Sequence, residues 1–327
     1  MRIGIVILNW NGKKLLEKNL NNVIDKSNNS KIYIIDNNSS DGSQDFIKKK
    51  FPSINIIELD KNYGFAEGYN VGLKNISEEL ICIMNNDIEV SDNWLDPILI
   101  HFDKNPDSIA QPLILDYKNR KFFEYAGAAG GYIDKFGYPY CRGRIFDSIE
   151  ENHDQYKDEK IFWASGACMV ISKKIFEELN GFDSSFFAHM EEIDLCWRAF
   201  NKGYQCFSIS NSYVYHEGAV SIKKNSKKLF LNYRNSLIML TKNLPIKSLM
   251  PRLLFRLILD IISVFRHLLK GEVNFSFAIL KAHYEYFKIV SKILKKRDNV
   301  LKKENYFGVN SIILDYYVLG KKKFFRL

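Results

Sequence analysis

At 327 residues, with 46% hydrophobic and 26% charged, the chain can bury a large core, and its composition excludes intrinsic disorder and fibrous repeats. The net charge of +9 is unevenly spread: residues 1–217 hold 24 Lys+Arg against 32 Asp+Glu, whereas residues 218–327 hold 23 against 6. Five cysteines without a C-x-x-C pair argue against a disulfide framework or a cysteine zinc site, and no uncharged stretch approaches the roughly 20 residues that span a bilayer.

The first apolar run, Ile3 to Leu8, is too short for a signal-peptide core, so the expectation is a cytoplasmic protein with reduced thiols. It reads as a strand covered on both faces and ends in the turn Asn9-Trp10-Asn11-Gly12. A helix follows from Lys13 to Ile24, with Leu15, Leu16, Leu20, Val23 and Ile24 at helical spacing. Lys31 to Ile35 is a second strand ending at Asp36, Ile54 to Leu59 a third, and Leu80 to Met84 a fourth that breaks into Asn85-Asn86-Asp87. Four strand–helix alternations predict an α/β fold, a mostly parallel, Rossmann-like sheet with helices on both faces.

Such sheets keep ligands at the carboxyl ends of their strands, which gathers Asn9, Asp36 and Asp87 on one edge. Neither G-x-G-x-x-G nor a P-loop is present, which argues against a dehydrogenase or a nucleoside-triphosphate hydrolase. Asp36 suits either a turn or the imide N–H of a uracil or thymine ring. In Asn62 to Asn70 the glycines Gly64 and Gly68 allow a close approach to phosphate at a helix N-terminus, or form a plain turn. Asp87 offers the oxygen that a hard divalent cation requires.

Asp92 to Lys104 reads as a helix, and residues 110–160 as an irregular insert whose elements the sequence does not order. Phe162 to Ile171 is a turn of small residues entering a buried strand. It leaves room for substrate beside Trp163 and Gly166, or packs closely on the sheet. Glu191, Glu192 and Asp194 begin a helix, where acids serve the helix dipole or supply a general base. His216 closes another strand, as a structural residue or a metal ligand.

Beyond residue 217 the pattern changes. Arg252, Arg256, Asp260, Ser263, His267 and Lys270 form one narrow polar stripe on an otherwise apolar helix. Phe275 to Leu294 repeats the arrangement before Lys295-Lys296-Arg297, and Lys321-Lys322-Lys323 stands near the end. This pattern fits a helix at an anionic membrane surface, or a small bundle, better than nucleic-acid binding. The expected division is therefore residues 1–217 as a catalytic domain and 218–327 as a membrane-associating helical region.

Taken in order, IVILNWNG, IIDNNSSDGS, NYGFAEGYN, MNNDIEV, WASGACMVI, GFDSSFF with MEEIDLCWR, and VYHEGAVS resemble the family 2 inverting glycosyltransferases of GT-A fold, rhamnosyltransferase-like branch. That resemblance implies a UDP- or dTDP-sugar donor, a glycan or polyprenyl-diphosphate-linked acceptor, and a role in surface polysaccharide synthesis at the inner face of the cell membrane. It assigns the pyrimidine base to Asp36, other nucleotide contacts to Asn9, Asn38, Gly64, Asn70, Asn85 and Asn86, and an Mg2+ or Mn2+ ion to Asp87 and His216. Asn85 stands where the family's D-x-D motif has its first aspartate. Glu192 stands where the family has its catalytic aspartate base, with Glu191 and Asp194 beside it. Competing readings are a nucleotidyltransferase, which the lack of a basic glycine-rich first loop disfavours, and a catalytically lapsed membrane-binding relative.

Overall fold

The computed structural model describes residues 2–218, 225–297 and 300–327. Its first half runs β1 (Ile3–Asn9), α1 (Lys13–Lys26), β2 (Ser30–Asp36), α2 (Ser43–Lys50), β3 (Asn55–Glu58), α3 (Gly64–Gly72), β4 (Leu80–Asn85), β5 (Ile88–Val90), α4 (Leu95–Lys104) and β6 (Ser108–Asp116). A small antiparallel sheet follows, made of β7 (Gly131–Ile133), β8 (Pro139–Cys141), β9 (Arg144–Ile145) and β10 (Ser148–Ile149). The chain continues through β11 (Glu159–Ile161), β12 (Cys168–Ser172), α5 (Lys173–Glu178), α6 (Glu191–Lys202) and β13 (Gln205–His216). The C-terminal helices are α7 (Ser226–Asn243), α8 (Ile246–Leu269), α9 (Val273–Lys295) and α10 (Ile312–Tyr317).

Successive strand residues point to opposite faces, so the continuous apolar runs fill two core layers. Ile5, Ile7, Cys82 and Met84 pack with Leu16, Leu20, Ile98 and Phe102 on one side, while Val6, Ile35, Ile81 and Ile83 pack with Tyr69 and Phe182 on the other. The main sheet has the order β11-β13-β6-β12-β4-β1-β2-β3, with β5 paired to β13.

The sheet is mixed, with parallel pairing predominating. Its β3-β2-β1-β4 half is parallel, but β12 runs antiparallel to both β4 and β6. No helix bridges β6 to β12 among the described residues, and without a crossover helix a returning strand runs the other way. The insert also begins with a core strand, β6, which carries Pro112. The residue is tolerated because the register with β13 shifts there, between Ile209 and Tyr213.

No helix among the described residues is long and apolar enough to cross a membrane. The last strand of the main sheet ends at His216, and Ala219 to Ser221 of the VYHEGAVS motif lie outside the described residues.

Candidate active site

Register delivers the polar residues to one place. Parallel pairing sets Asn9 opposite Asp36 and Leu8 opposite Asn85 at the carboxyl edge. Asn9, fully buried, donates from Nδ2 to Asp36 Oδ1 at 3.2 Å and to Ser39 Oγ at 3.2 Å, while its Oδ1 accepts from Asn86 Nδ2 at 3.0 Å. Gly12 makes this possible, because a Cβ there would lie 2.2 Å from Asn86 Nδ2 and 2.5 Å from Asn9 Oδ1. Asp36 Oδ2 accepts from Ser39 N at 2.9 Å and from Gln44 Nε2 at 2.7 Å, so both of its oxygens are already engaged. Asn38 is exposed beside this network with a left-handed φ of 60°.

The next cluster joins three segments. His216 pairs with Ile88 across β13 and β5, which sets its ring beside Asp87: Nε2 is 3.1 Å from Asp87 Oδ1 and 3.4 Å from Asn85 Nδ2. On the far side of the ring, Nδ1 is 3.3 Å from Oε2 of the buried Glu124. Burial opposes a charge on His216, but Asp87 and Glu124 outweigh it and raise the pKa to about 10. Burial likewise works against the Asp87 carboxylate, and the His216 contact prevails and lowers it. Glu124 comes from the insert that the sequence left unordered; its only signal was an acid standing just before the small residues Ala126 to Gly131.

Glu191 and Glu192 open α6 behind a loop in which Phe187, His189 and Met190 all have positive φ, at 64°, 70° and 74°. Asn235 of α7 lies beneath that loop, its Nδ2 within 2.8–3.0 Å of the carbonyls of Phe186, Ala188 and His189. Glu191 is buried, and burial together with the neighbouring Glu192 pushes its carboxyl well above the usual range. Glu192 is half-buried and is raised too, chiefly by burial. A Cβ on Gly166 would lie 3.7 Å from Glu192 Cβ, and next to Gly166 the carbonyl of Ala167 accepts from Asn85 N at 3.0 Å. The start of α6 thus lies beside Gly166, whose neighbour Ala167 pairs with the strand end that precedes Asp87.

Four candidates are occupied otherwise. Asp194 is fully buried and meets Arg198, Lys242 and Asn243 at 2.8 Å each, which ties α6 to α7. Burial opposes its ionisation, but Lys242 and Arg198 keep its pKa below the ordinary value. Trp163 is 4% exposed, lies flat on Gly131 and donates its indole N–H to Tyr132 O at 2.9 Å, so it walls no open pocket. Asn70 spends its amide on the Phe182 backbone, at 2.8 Å and 2.9 Å, away from Asn9 and Asp36. Gly64 does not open onto a free phosphate cradle: Gly64 N donates to Asn62 Oδ1 at 2.8 Å, Phe65 N donates to Phe187 O at 3.0 Å, and the Phe187 ring fills the space above the glycine.

Residues 4–180, more than half of the chain, match the family model described as glycosyl transferase family 2. The chain belongs to glycosyl transferase family 2. It is similar to the low-salt glycan biosynthesis hexosyltransferase Agl10 of Haloferax volcanii, 24% identical over 240 residues that cover 71% of this chain and 73% of that one. It is also similar to the N-acetylglucosaminyl-diphospho-decaprenol L-rhamnosyltransferase of Mycobacterium tuberculosis, 21% identical over 207 residues, covering 58% and 67%. Among solved structures, GalNAc-T7 with UDP, GalNAc and Mn2+ superposes with a TM-score of 0.54 at 17% identity. That likeness covers 66% of this chain and 43% of that one, and it shows the GT-A fold.

In this family 2 glycosyltransferase the residues fit the divalent cation that the resemblance implies. Asp87 Oδ1 is buried against His216 Nε2, and their 3.1 Å separation matches the edge of an octahedral site. Such an edge is about 3.0 Å when ligand distances are about 2.1 Å. Glu124 stands behind the imidazole, the arrangement that orients a metal-binding histidine. Among the described residues there is no cluster of three acidic, histidine or cysteine side chains to complete a cage, so the other ligands would come from the donor diphosphate and water.

Proposed function

We propose that this glycosyltransferase moves a sugar from a UDP- or dTDP-linked donor to a hydroxyl of a glycan or polyprenyl-diphosphate-linked acceptor, inverting the anomeric carbon. The reading rests above all on one arrangement: Glu192, a half-buried carboxyl with a raised pKa, begins α6 beside Gly166, next to the strand end that carries Asp87 and His216. Rhamnose as the sugar, and a lipid diphosphate as the acceptor anchor, are supported by the name of the mycobacterial relative.

Glu192 takes the proton of the acceptor hydroxyl as that oxygen attacks the anomeric carbon from the side opposite the departing diphosphate. Glu192 is half-buried, with its Oε2 enclosed and free of any hydrogen-bond partner, whereas Glu191 is buried. Asp87 and His216 would hold a divalent cation, with a carboxylate–imidazole pair suiting Mn2+ at least as well as Mg2+. Such a cation, when bound, neutralises charge developing on the leaving diphosphate. Asp36 reaches the imide N–H of the base once Gln44, a half-buried residue in the first turn of α2, swings off its Oδ2. Residues 1–217 supply the transfer site, and α7 completes it through Asn235.

Incubating the protein with a panel of UDP- and dTDP-sugars, Mn2+ and a polyprenyl-diphosphate-linked N-acetylhexosamine tests the reading. The expected product is a glycoside whose NMR coupling shows the anomeric configuration opposite to that of the donor. A retained configuration, or full turnover in excess chelator, would remove the mechanism.

A further inference from the structure

The helix α8 is turned inside out. Its polar residues Arg252, Arg256 and Asp260 are buried, at 8%, 3% and 1% exposure. Arg256 and Asp260 are paired there: Arg256 donates from Nε to Asp260 Oδ1 at 3.0 Å and from Nη2 to the Ser236 hydroxyl at 2.9 Å, while Arg252 donates from Nη2 to Glu304 at 2.9 Å and leaves its Nη1 without a partner. Tyr138 donates to Asp260 Oδ1 at 2.9 Å, and His283 of α9 meets Asp260 Oδ2 at 2.9 Å. The opposite stripe, Met250, Leu254, Ile258, Ile261, Ile262 and Phe265, lies open, between 44% and 61% exposed. On the adjoining α9, Val273, Phe277, Leu280, Tyr284 and Phe287 recur at spacings of three and four and are 55% to 67% exposed. The apolar stripe of α8 cannot roll inward, because rotation would break the buried ion pairs and strand their charges.

The charges around these stripes point to the occupant. Lys281, Lys288, Lys292 and Lys295 run along one flank of the α9 stripe, all exposed. The acids of the hairpin are each engaged: Asp260 as above, Glu272 with His267 at 2.7 Å, and Glu285 with Lys288 at 3.5 Å. A second copy would therefore bring a basic margin and no exposed acid to meet it. An anionic bilayer offers hydrocarbon to the stripes and phosphate to the lysines. Neither helix is long and apolar enough to cross the bilayer, so the hairpin would lie in its plane.

We propose that the α8–α9 hairpin docks this protein on an anionic membrane, its apolar stripes seated at the boundary between headgroups and acyl chains. The inference deepens the lipid-linked acceptor reading and rests on it for its purpose. The hairpin also touches the transfer site's support, since α9 packs along α7, which carries Asn235.

Flotation of the full chain with phosphatidylcholine vesicles, with and without phosphatidylglycerol, tests the proposal. The protein should float with the anionic vesicles at low salt. The double variant Phe265→Asp/Phe277→Asp should partition more than about tenfold more weakly, since two large apolar side chains leave the lipid. Replacing Lys281, Lys288, Lys292 and Lys295 by Gln, which leaves the apolar stripes intact, should remove the salt-sensitive part of binding. Circular dichroism and UDP-sugar hydrolysis in solution should match wild type in both variants. Wild-type protein that stays in solution with anionic vesicles at low salt, or a double variant that floats like wild type, would overturn the proposal. So would a wild-type dimer that becomes monomeric in Phe265→Asp/Phe277→Asp, because the second copy would then be the occupant. Hydrolysis without flotation would sink the docking surface alone, and flotation without hydrolysis or transfer would leave docking supported and sink the transfer reading.

Discussion

Asn235 of α7 holds its side-chain nitrogen 2.8 Å from the carbonyl oxygen of His189, three residues before Glu192. The loop it supports contains three non-glycine residues in positive φ, a region that costs an L-residue roughly 1–2 kcal/mol each. Asn235→Ala removes the side-chain donor from the Ala188 and His189 carbonyls, while Phe186 O keeps Ala188 N, and this should destabilise the fold by about 1–3 kcal/mol. Because the loss falls on the loop leading into α6, kcat should fall more than the KM for donor rises. A variant that melts lower but keeps wild-type kcat would show that Asn235 serves stability alone.

Asp87→Asn should reduce turnover at saturating donor by at least about a hundredfold, as expected when a group stabilising the leaving charge is lost. The melting temperature should move little, since His216 keeps Glu124 as its partner. Mn2+ binding, followed by electron paramagnetic resonance in the presence of UDP, should weaken in parallel. Unchanged Mn2+ affinity in this variant would take Asp87 out of the cation site.

Glu124 touches His216 Nδ1 from the side away from Asp87, so its role is to orient the ring. Glu124→Ala should weaken Mn2+ binding by roughly 10- to 100-fold, and Glu124→Gln, which keeps an acceptor, should lose less. Equal affinity in all three proteins would make Glu124 a packing residue only.

The raised carboxyl of Glu192 has a cost that can be read from stability. Burial favours its neutral form, so the folded protein holds that proton more tightly than the unfolded chain, whose glutamate titrates near 4.5. Below that pH both states are protonated and Glu192→Gln should melt like wild type. As pH rises through the folded-state pKa, ionisation penalises the wild-type fold, and the variant should melt higher at pH 7.5. A melting difference that does not grow between pH 4 and pH 7.5 would contradict a buried, raised carboxyl at this position.

The strand ends were legible because apolar runs such as Ile3 to Leu8 and Leu80 to Met84 break abruptly into Asn and Asp, and pairing register then sets Asn9 beside Asp36. The strand β6 was hidden by Pro112, whose place in a central strand depends on a register shift that only the partner strand reveals. Glu124 and Asn235 could not be assigned, since each acts across a contact far in sequence: Glu124 on His216 and Asn235 on the loop 186–189. Gly64, Asn70, Trp163 and Asp194 stood at suggestive positions, but capping, backbone pairing, close packing and an ion network claim their polar or open sides. Helical spacing displayed the two faces of α8 without saying which one turns inward; the buried Arg256–Asp260 pair decides that.

The central claim is that Glu192 is the base at the strand end carrying Asp87, and a side-by-side turnover measurement of three isosteric variants tests it. With donor, Mn2+ and lipid-linked acceptor supplied, Glu192→Gln should lose roughly 10²- to 10⁴-fold in kcat while binding donor as wild type does. Glu191→Gln should retain most activity. Asp194→Asn should lose stability before it loses chemistry, because its partners Lys242 and Arg198 are structural. Wild-type turnover in Glu192→Gln, or a loss confined to Glu191→Gln, would place the base on another carboxylate and contradict the account.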